Sequence, residues 1–417
     1  MRFSIIILIG SFLAANVVIA SDRIEIPPLN PSHPRLLLKQ NDLSLIKQRV
    51  MKKEEPWFNT WKNLEQHLQQ QIKTNRKAGP YVGPNSFKFF EACTKDSGYA
   101  RDLAMAYWIS GDEIYSVKSL EMLTGWAQNE PLPSSTFDPE VEYPNTGMEV
   151  ARSALPFIWT YDLLYNYPKF TSEQKKAVEK WFRLLLTHIE TGAKRWKDND
   201  FFDKQYYQNH IAADAMGTLA IAYALGDEKL IRYALDSNEN PRDVLDVIEG
   251  CILMKNQKPY YREPAQFKVH DGEIIDRYRH FKIGGQYKGY VTKPNRGLQY
   301  CGLTLLLMTT SAEIAYQNGV DVFSYIAPTG ENLELCFDFY ADFYRLKDDN
   351  LKDGFYIGEK ERIGEGGDDP SVYELGFKHY PANKSIQMLL CSMDRTRHEI
   401  WILGRPGLYF GQPINCK

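Results

Sequence analysis

The spacing of apolar residues along the chain predicts a protein made almost entirely of α-helices. Apolar positions recur every three to four residues, the period of a helix with one buried face, whereas alternating strand-like stretches are short and few. The helical segments come in pairs, and two of the pairs are joined by Gly-Asp turns, at 111–112 and 226–227. The predicted helices cover 43–51, 57–72, 102–110, 114–126, 149–165, 171–191, 210–225, 228–235, 297–317 and 331–344.

The connections between these helices favour a single all-α domain. Residues 171–174 (Thr-Ser-Glu-Gln) have the sequence of a capping box that opens a helix. No strand–helix–strand rhythm and no helical-repeat consensus occur, which argues against a parallel sheet and a solenoid. We therefore predict an incomplete α/α toroid, a barrel of six or seven antiparallel helical hairpins, over residues 21–417. The Gly- and Asp-rich stretch 345–381 is predicted as a long loop or small appendage, and 400–403 as a strand-like piece.

Residues 1–20 have the features of a secretory signal peptide. Arg2 supplies the positive charge, residues 5–15 the apolar stretch and residues 18–20 (Val-Ile-Ala) the cleavage pattern. The later apolar run 303–308 is too short to span a bilayer. We therefore expect cleavage near Ala20 and a periplasmic or secreted protein without a membrane span.

The charge balance and the motif content exclude several classes of function. Against 53 Asp and Glu, 50 Lys and Arg give a formal net charge of −3, without the basic excess typical of nucleic-acid-binding proteins. The six cysteines form no CxxC pair, the eight histidines show no HxxxH or HExxH spacing, and no glycine-rich phosphate loop occurs. We therefore expect no metal and no cofactor, and most of the cysteines buried. The aromatic share of 13% favours a cleft whose rings stack on a ligand such as a sugar.

Two polar stretches interrupt the helical pattern and hold candidate site residues. Residues 206–210 (Tyr-Tyr-Gln-Asn-His) precede an apolar helix, so Asn209 either caps that helix, with His210 in its first turn, or belongs to a site. Residues 143–149 and Arg152 form the second stretch. There Arg152 and Glu149 either pair along one helix face or line a cleft.

A third polar stretch combines residues 270–273 (His-Asp-Gly-Glu) with residues 293–300 (Lys-Pro-Asn-Arg-Gly-Leu-Gln-Tyr). Arg296 and Tyr300 are four residues apart, so a helix that starts near Pro294 places them on one face. The alternative to a functional pair is a surface arginine that stacks on a tyrosine.

In their order along the chain, these segments resemble the alginate lyase domain of bacterial polysaccharide lyases. The segments that carry the resemblance are 33–37 (His-Pro-Arg-Leu-Leu), 145–164, Asn209-His210 and 296–300. The chain is most similar to the polysaccharide lyase families five and thirty-eight, and closer to thirty-eight. The family-five pattern has two arginines three residues apart before the tyrosine and a histidine after it. This chain has Lys293 at the first arginine position and Cys301 at the histidine position.

The resemblance implies an α/α toroid and a lyase that cleaves a polyuronate by β-elimination. Four catalytic residues follow from it: Asn209, His210, Arg296 and Tyr300. The expected substrate contacts are Tyr143, Arg152, Tyr207, Gln208, Tyr261, Arg262, His270 and Lys293. The expected partner is an anionic polysaccharide, alginate first and glucuronan second.

The chemistry of elimination explains why an Asn, a His, an Arg and a Tyr form a sufficient set. The proton on carbon 5 of a uronate becomes acidic only when donors such as Asn209, His210 or Arg296 neutralise the neighbouring carboxylate. Tyr300 can act as both base and acid, although a tyrosine with its reference pKa of about 10 needs a nearby cation, for which Arg296 is the candidate. His210 is the candidate second base when the proton lies on the opposite face of the sugar.

Two functions outside the lyase class remain open at this point. An inverting glycoside hydrolase on the same kind of toroid needs two separated carboxyl groups, which Asp271, Glu273 and Asp276 could supply. Their clustering also fits a hydrated loop. A non-catalytic glycan-binding protein would use the aromatic residues without the Asn-His pair.

Overall fold

The computed structural model describes residues 23–129, 145–197, 207–257, 269–274, 282–283, 286–287, 297–348, 351 and 369–416. Regular structure within these residues is nearly all helical, which confirms the all-α prediction. The helices are α1 (Gln40–Met51), α2 (Trp57–Lys73), α3 (Ser86–Ser110), α4 (Glu113–Gln128), α5 (Thr146–Leu164), α6 (Ser172–Lys197), α7 (Asn209–Leu225), α8 (Glu228–Leu235), α9 (Val244–Cys251), α10 (Gly297–Gln317), α11 (Leu333–Leu346), α12 (Tyr373–His379), α13 (Lys384–Ser392) and α14 (Pro406–Tyr409). Two short antiparallel strand pairs accompany them: β1 (Ile252–Leu253) with β2 (Glu273–Ile274), and β3 (Lys282–Ile283) with β4 (Gln286–Tyr287).

Helices α3, α5, α7 and α10 pack side by side in that order and form an inner layer. Almost every residue of α5 and α7 is buried, as expected for helices with neighbours on all sides. Each of α3, α5 and α7 is followed by an outer helix that returns antiparallel, namely α4, α6 and α8. Hairpins arranged around an inner layer in this way form the α/α toroid predicted from the sequence. None of the helices in the described part of the chain is long and apolar enough to cross a bilayer.

Local sequence signals explain where many of the helices begin and end. Asp112 and Asp227 cap α4 and α8 by accepting backbone N–H bonds from Ile114 and Leu230. The predicted capping box at the start of α6 is confirmed, because Thr171 N–H donates to the Gln174 side chain and Gln174 N–H donates back to the Thr171 hydroxyl.

The structure differs from the sequence prediction in three regions. Helix α3 begins at Ser86, sixteen residues before the predicted start at 102. The helix can continue through the polar residue Asp96 because distant donors, such as Trp126 Nε1 at 2.8 Å, satisfy its carboxylate. Helices α9, α12, α13 and α14 were not predicted, and α12 lies inside 345–381, which was predicted as a loop or appendage. The strand-like piece 400–403 forms only a single bridge, between Ile400 and Gly404.

The N-terminal segment that precedes α1 closes one end of the inner layer. The Asp162 carboxylate, near the C-terminal end of α5, accepts backbone N–H bonds from Arg35 and Leu36 and lies 2.6 Å from His33 Nδ1. The Arg35 guanidinium donates to the carbonyl oxygen of Tyr223 in the last turn of α7. The motif at 33–37 therefore joins the C-terminal ends of α5 and α7, and its role is structural.

The C-terminal segment 369–416 packs back onto the helices and is joined internally by a disulfide between Cys391 and Cys416. The other four cysteines are buried and reduced, which confirms the prediction that most cysteines are buried. The Arg101 guanidinium of α3 donates to the backbone carbonyl of Trp401, which fixes this segment next to the first helices of the toroid.

Candidate functional site

The inner helices all begin at the same end of the toroid, opposite the end closed by the N-terminal segment. The Ser86 hydroxyl at the start of α3 donates to the Glu149 carboxylate in the first turn of α5, at 2.5 Å. Arg152 lies one turn further along α5, and Tyr300 lies in the first turn of α10, which packs against α7 next to α5. We call this end the N-terminal mouth, formed by the first two turns of α3, α5, α7 and α10. The partial positive charges of four helix N-termini converge there, which favours an anionic ligand.

Two glycines allow the helices behind the mouth to approach very closely. A Cβ added at Gly192 of α6 would lie 2.5 Å from the backbone nitrogen of Gly147 in α5. A Cβ added at Gly147 would lie 2.7 Å from Asp214 Oδ1 of α7. Only glycine fits at these two positions, and the close packing brings the C-terminal end of α6 next to the first turns of α5 and α7.

The predicted pair Asn209 and His210 occupies the first two positions of α7, and both residues are nearly fully buried. The capping interpretation of Asn209 is wrong, because Gln208 is the N-cap residue and makes no side-chain cap. Instead, Asn209 Nδ2 donates to Gln208 Oε1 at 2.9 Å. The His210 ring stacks on Trp196 of α6, with ring centroids 4.1 Å apart. These contacts hold the amide and the imidazole in fixed orientations at the mouth.

Arg152 lies in an aromatic environment rather than in an ion pair. Its guanidinium carbon lies 4.8 Å from the ring centroid of Trp401 and 5.3 Å from that of Phe90, and Nη1 contacts Met148 Sδ at 2.9 Å. The interpretation of Arg152 and Glu149 as an ion pair is therefore wrong within the described residues. Burial lowers the pKa of the Arg152 guanidinium to about 10, and the nearby Tyr300 and Glu149 act in the opposite direction.

Tyr300 is partly buried in the first turn of α10, and its neighbour Cys301 points into the core. The Cys301 thiol lies 3.5 Å from the backbone oxygen of Ile274, where β2 packs on α10. The residue after the tyrosine, where the family-five pattern has a histidine, is therefore a packing position in this chain.

The remaining described candidates lie in the segments next to the mouth. The Tyr207 hydroxyl donates to the carbonyl oxygen of Pro241 at 2.8 Å, and His270 N–H donates to Glu273 Oε2 at 2.6 Å. Asp271 Oδ1 accepts the backbone N–H of Lys255 just after β1, so Asp271 holds a neighbouring segment, whereas Glu273 holds its own turn. This favours the structural interpretation of Asp271 and Glu273 over a pair of hydrolase carboxyl groups. No cluster of three potential metal ligands occurs in the part of the chain that is described.

Several predicted residues lie outside the described residues, so the structure does not test them. They are Tyr143, Tyr261, Arg262, Asp276, Lys293 and Arg296, together with residues 1–20.

Three residues near the mouth were not singled out in the sequence. Trp196 and Trp401 provide ring faces for His210 and Arg152, and no local pattern links them to those partners. Asp214 lies one turn after His210 in α7 and is buried. Burial raises the pKa of the Asp214 carboxyl well above its usual range. The positive charge of Arg242 counteracts this rise, and the negative charge of Glu190 adds to it. For Asp214, the only signal in the sequence was an aspartate within an otherwise apolar helix.

Comparison with known proteins places these residues in a family. Residues 46–350 match the family model described as alginate lyase. No match was found among curated proteins.

Several solved structures share the fold at low sequence identity. An alginate lyase from Bacteroides ovatus is 15% identical, with a TM-score of 0.60, and the match covers 92% of this chain and 100% of that chain. Alginate lyase A1-III from Sphingomonas species A1 is 17% identical, with a TM-score of 0.55 and coverage of 81% and 85%. A tyrosine-to-phenylalanine variant of A1-III complexed with tetrasaccharide is 16% identical, with a TM-score of 0.61 and coverage of 92% and 100%.

Proposed function

We propose, from the premise that the chain belongs to the alginate lyase family, that it cleaves alginate or a closely related polyuronate by β-elimination at the N-terminal mouth. As a member of this family, the chain is a polysaccharide lyase. The observation that supports the assignment of the site is that Asn209, His210, Arg152 and Tyr300 lie in the first two turns of three helices that pack side by side.

In the proposed reaction, the side chains at the start of α7 neutralise the uronate carboxylate. The Asn209 amide and His210, together with Arg296, offer hydrogen-bond donors to the charge that develops when carbon 5 loses its proton. The positions of Asn209 against Gln208 and of His210 against Trp196 support this role, because donors held rigidly need no reorganisation during the reaction.

Tyr300 is the proposed base and acid. Its phenolate oxygen takes the proton from carbon 5, the bond from carbon 4 to the glycosidic oxygen breaks, and a double bond forms between carbons 4 and 5. The proton then passes from Tyr300 to the leaving oxygen, which regenerates the phenolate. His210 is the proposed second base for sugars whose carbon-5 proton lies on the opposite face.

The proposed substrate is an anionic polyuronate, with alginate before glucuronan. The four helix N-termini and the Arg152 guanidinium at the mouth support an anionic ligand. The tetrasaccharide complex of the A1-III variant supports a chain-like sugar substrate. We propose that Tyr143, Tyr207, Tyr261, Gln208, Arg262, His270 and Lys293 line the remainder of this cleft.

We also propose that the protein is exported, with cleavage near Ala20. The disulfide between Cys391 and Cys416 supports this proposal, because disulfides persist mainly in oxidising compartments.

The test is the Tyr300→Phe variant, which keeps the ring and removes the hydroxyl that carries the proton. We expect it to fold and bind substrate normally and to lose at least about 10²–10⁴-fold in turnover, measured as ultraviolet-absorbing unsaturated product from a panel of uronans. Tyr316→Phe, at the far end of the same helix, is the matched control and should retain full activity. A saturated product from the wild type would indicate a hydrolase. Binding of a uronan without any product would indicate a glycan-binding protein. Near-wild-type elimination by Tyr300→Phe would refute the assignment.

A further inference from the structure

A cavity of about 690 Å³ lies at the closed end of the toroid, away from the N-terminal mouth. It is bordered by the turn 321–324 after α10, by the first two turns of α11 and by residues 378–383. Helix α10 has 21 residues and therefore spans about 30 Å, which separates the cavity from the mouth at the other end of this helix. The volume is in the range of sites that hold small organic ligands.

Three carboxylates in the lining of this cavity, those of Asp321, Glu334 and Asp338, form no ion pair within the described residues. Neutral donors orient them instead. Asn383 Nδ2 donates to Glu334 Oε1 at 3.1 Å, and Asp321 Oδ2 accepts from a serine hydroxyl of its own turn at 2.6 Å. The Ser385 hydroxyl donates to Asp338 Oδ1 at 2.7 Å. These donors fix the carboxylates and leave their negative charge in place.

The lysine in the lining is already neutralised by a carboxylate outside the cavity. Lys378 Nζ lies 2.6 Å from Glu313 Oε1, and His379 Nε2 lies 2.6 Å from the other oxygen of the same carboxylate. Glu313 belongs to α10 and is fully buried. The lining therefore presents the charge of three carboxylates that Lys378 does not offset.

The arrangement of two of these carboxylates costs stability unless a cation is bound. Glu334 and Asp338 are one turn apart on α11, so their Cβ atoms lie about 5–6 Å apart on one face, and like charges at this spacing destabilise a helix. The helix N-terminus compensates Glu334 in the first turn, but its effect fades before Asp338. Ile326, which is exposed, and Leu335 add apolar surface to the same cavity.

We propose that this cavity binds an aliphatic polyamine, a chain of methylene groups that joins two or more ammonium groups. Ammonium groups separated by three or four methylenes are about 5–6 Å apart in an extended chain, which matches carboxylates one helical turn apart. The methylenes between them pack on the apolar lining, as the stems of lysine side chains do. A polyuronate is repelled by the three carboxylates, so this site differs from the mouth in its ligand, and the inference does not depend on the proposed lyase activity.

The experiment is isothermal titration calorimetry of the full chain with spermidine, a triamine with one three-methylene and one four-methylene spacer, at about 0.15 M salt. We expect saturable binding at one site. Because an exposed charge pair contributes up to about a factor of five, Asp338→Asn should weaken binding about 3- to 5-fold and Glu334→Gln/Asp338→Asn about 5- to 30-fold. Ile326→Ser, which removes apolar surface but no charge, should also weaken binding.

The matched control is Asp342→Asn, one turn further along α11 than Asp338. Asp342 Oδ1 accepts from Arg345 Nη2 at 2.7 Å, and Asp342 does not line the cavity. The two single variants change the net charge by the same amount, but Asp342→Asn should bind spermidine as the wild type does. The melting temperature of each variant confirms that it is folded.

Three outcomes would overturn the proposal. The first is the absence of saturable binding of spermidine up to millimolar concentrations. The second is equal weakening by Asp338→Asn and Asp342→Asn, which would show a general attraction to an acidic protein. The third is full displacement of spermidine by magnesium ions at the same concentration of positive charge, which would show that the methylene chain adds nothing. Because the readout is binding, the result stands whether or not a uronan is cleaved.

Discussion

Replacement of Gly192 by alanine should disturb the packing of α6 against α5 next to the site, although Gly192 contacts no proposed catalytic residue. The added Cβ would lie 2.5 Å from the Gly147 nitrogen and 2.6 Å from its Cα, whereas ordinary contacts begin near 3.4 Å. The two backbones must therefore separate by 0.9 Å, the difference between 3.4 and 2.5 Å. Trp196 lies one turn after Gly192 in α6 and stacks on His210, so this shift passes to the imidazole.

The size of the effect follows from two opposing terms. Overpacking of a close helix contact costs about 1–3 kcal/mol, and the higher helix propensity of alanine offsets about 1 kcal/mol of that cost. We expect a net loss of up to about 2 kcal/mol in the free energy of unfolding. Displacement of a catalytic group by about 1 Å can lower the rate about 10²-fold, so kcat/KM should fall more than stability alone explains.

The assay compares Gly192→Ala with Gly98→Ala, a glycine-to-alanine change inside α3. Apart from the backbone of its own helix, a Cβ at Gly98 would have Arg101 Nη2 as its nearest neighbour atom, at 3.8 Å, which is an ordinary contact. Gly98→Ala should therefore be as stable as the wild type or slightly more stable, with unchanged kcat/KM. If Gly192→Ala shows wild-type kcat/KM and an undiminished melting temperature, the link between the close helix contact and the position of His210 is wrong.

Two further variants test other features of the molecule. Because burial raises the pKa of Asp214 above its value of about 3.9 in the unfolded chain, the folded protein binds the extra proton and loses stability as the pH rises above about 4. Asp214→Asn lacks this pH dependence, so the melting temperature of the variant relative to that of the wild type should rise from pH 4 to pH 8. A difference between the two melting temperatures that stays constant over this range would contradict the raised pKa of Asp214. Arg35→Ala removes the donor to the Tyr223 carbonyl at the closed end, so it should lower the free energy of unfolding by about 1–3 kcal/mol. Its kcat should stay unchanged when measured well below the melting temperature, and a large loss of kcat would show that this end affects the site.

Features set by neighbouring residues were predictable from the sequence. Helix α8 and helix α10 have the predicted bounds, because caps and turns close to each helix decide where it begins and ends. The Asp227 cap and the Thr171 capping box are of this kind, since each lies within three residues of its partner. The all-α class follows from the same local signals repeated along the chain.

Features set by distant partners were not predictable. The start of α3 was missed because Lys95, Asp96 and Ser97 are polar, and only the fold shows that Asp96 is satisfied by Trp126 and Arg76. The pairing of Cys391 with Cys416 likewise depends on how the C-terminal segment folds back.

The candidate site likewise has features that the sequence predicted and features that only the fold shows. Asn209, His210 and Tyr300 were identified through a resemblance that concerns residue types in sequence order. The ring of Trp196 under His210 and the ring of Trp401 under Arg152 exist only in three dimensions. A cation next to Tyr300 was expected from the chemistry, and its candidate, Arg296, lies outside the described residues, so this expectation stays a prediction.

The two ends of the inner layer explain how a chain with a net charge of −3 can suit a polyanion. At the closed end, the helices present carbonyl oxygens, and Arg35 and Asn318 tie the chain there through backbone oxygens. At the mouth, the same helices present their N–H groups, and Arg152, whose guanidinium packs on two aromatic rings, adds a positive charge. The direction of the helices thus separates charge along the toroid axis. A polyuronate responds to the local potential at the mouth rather than to the net charge, so a slightly acidic protein is compatible with the proposed substrate.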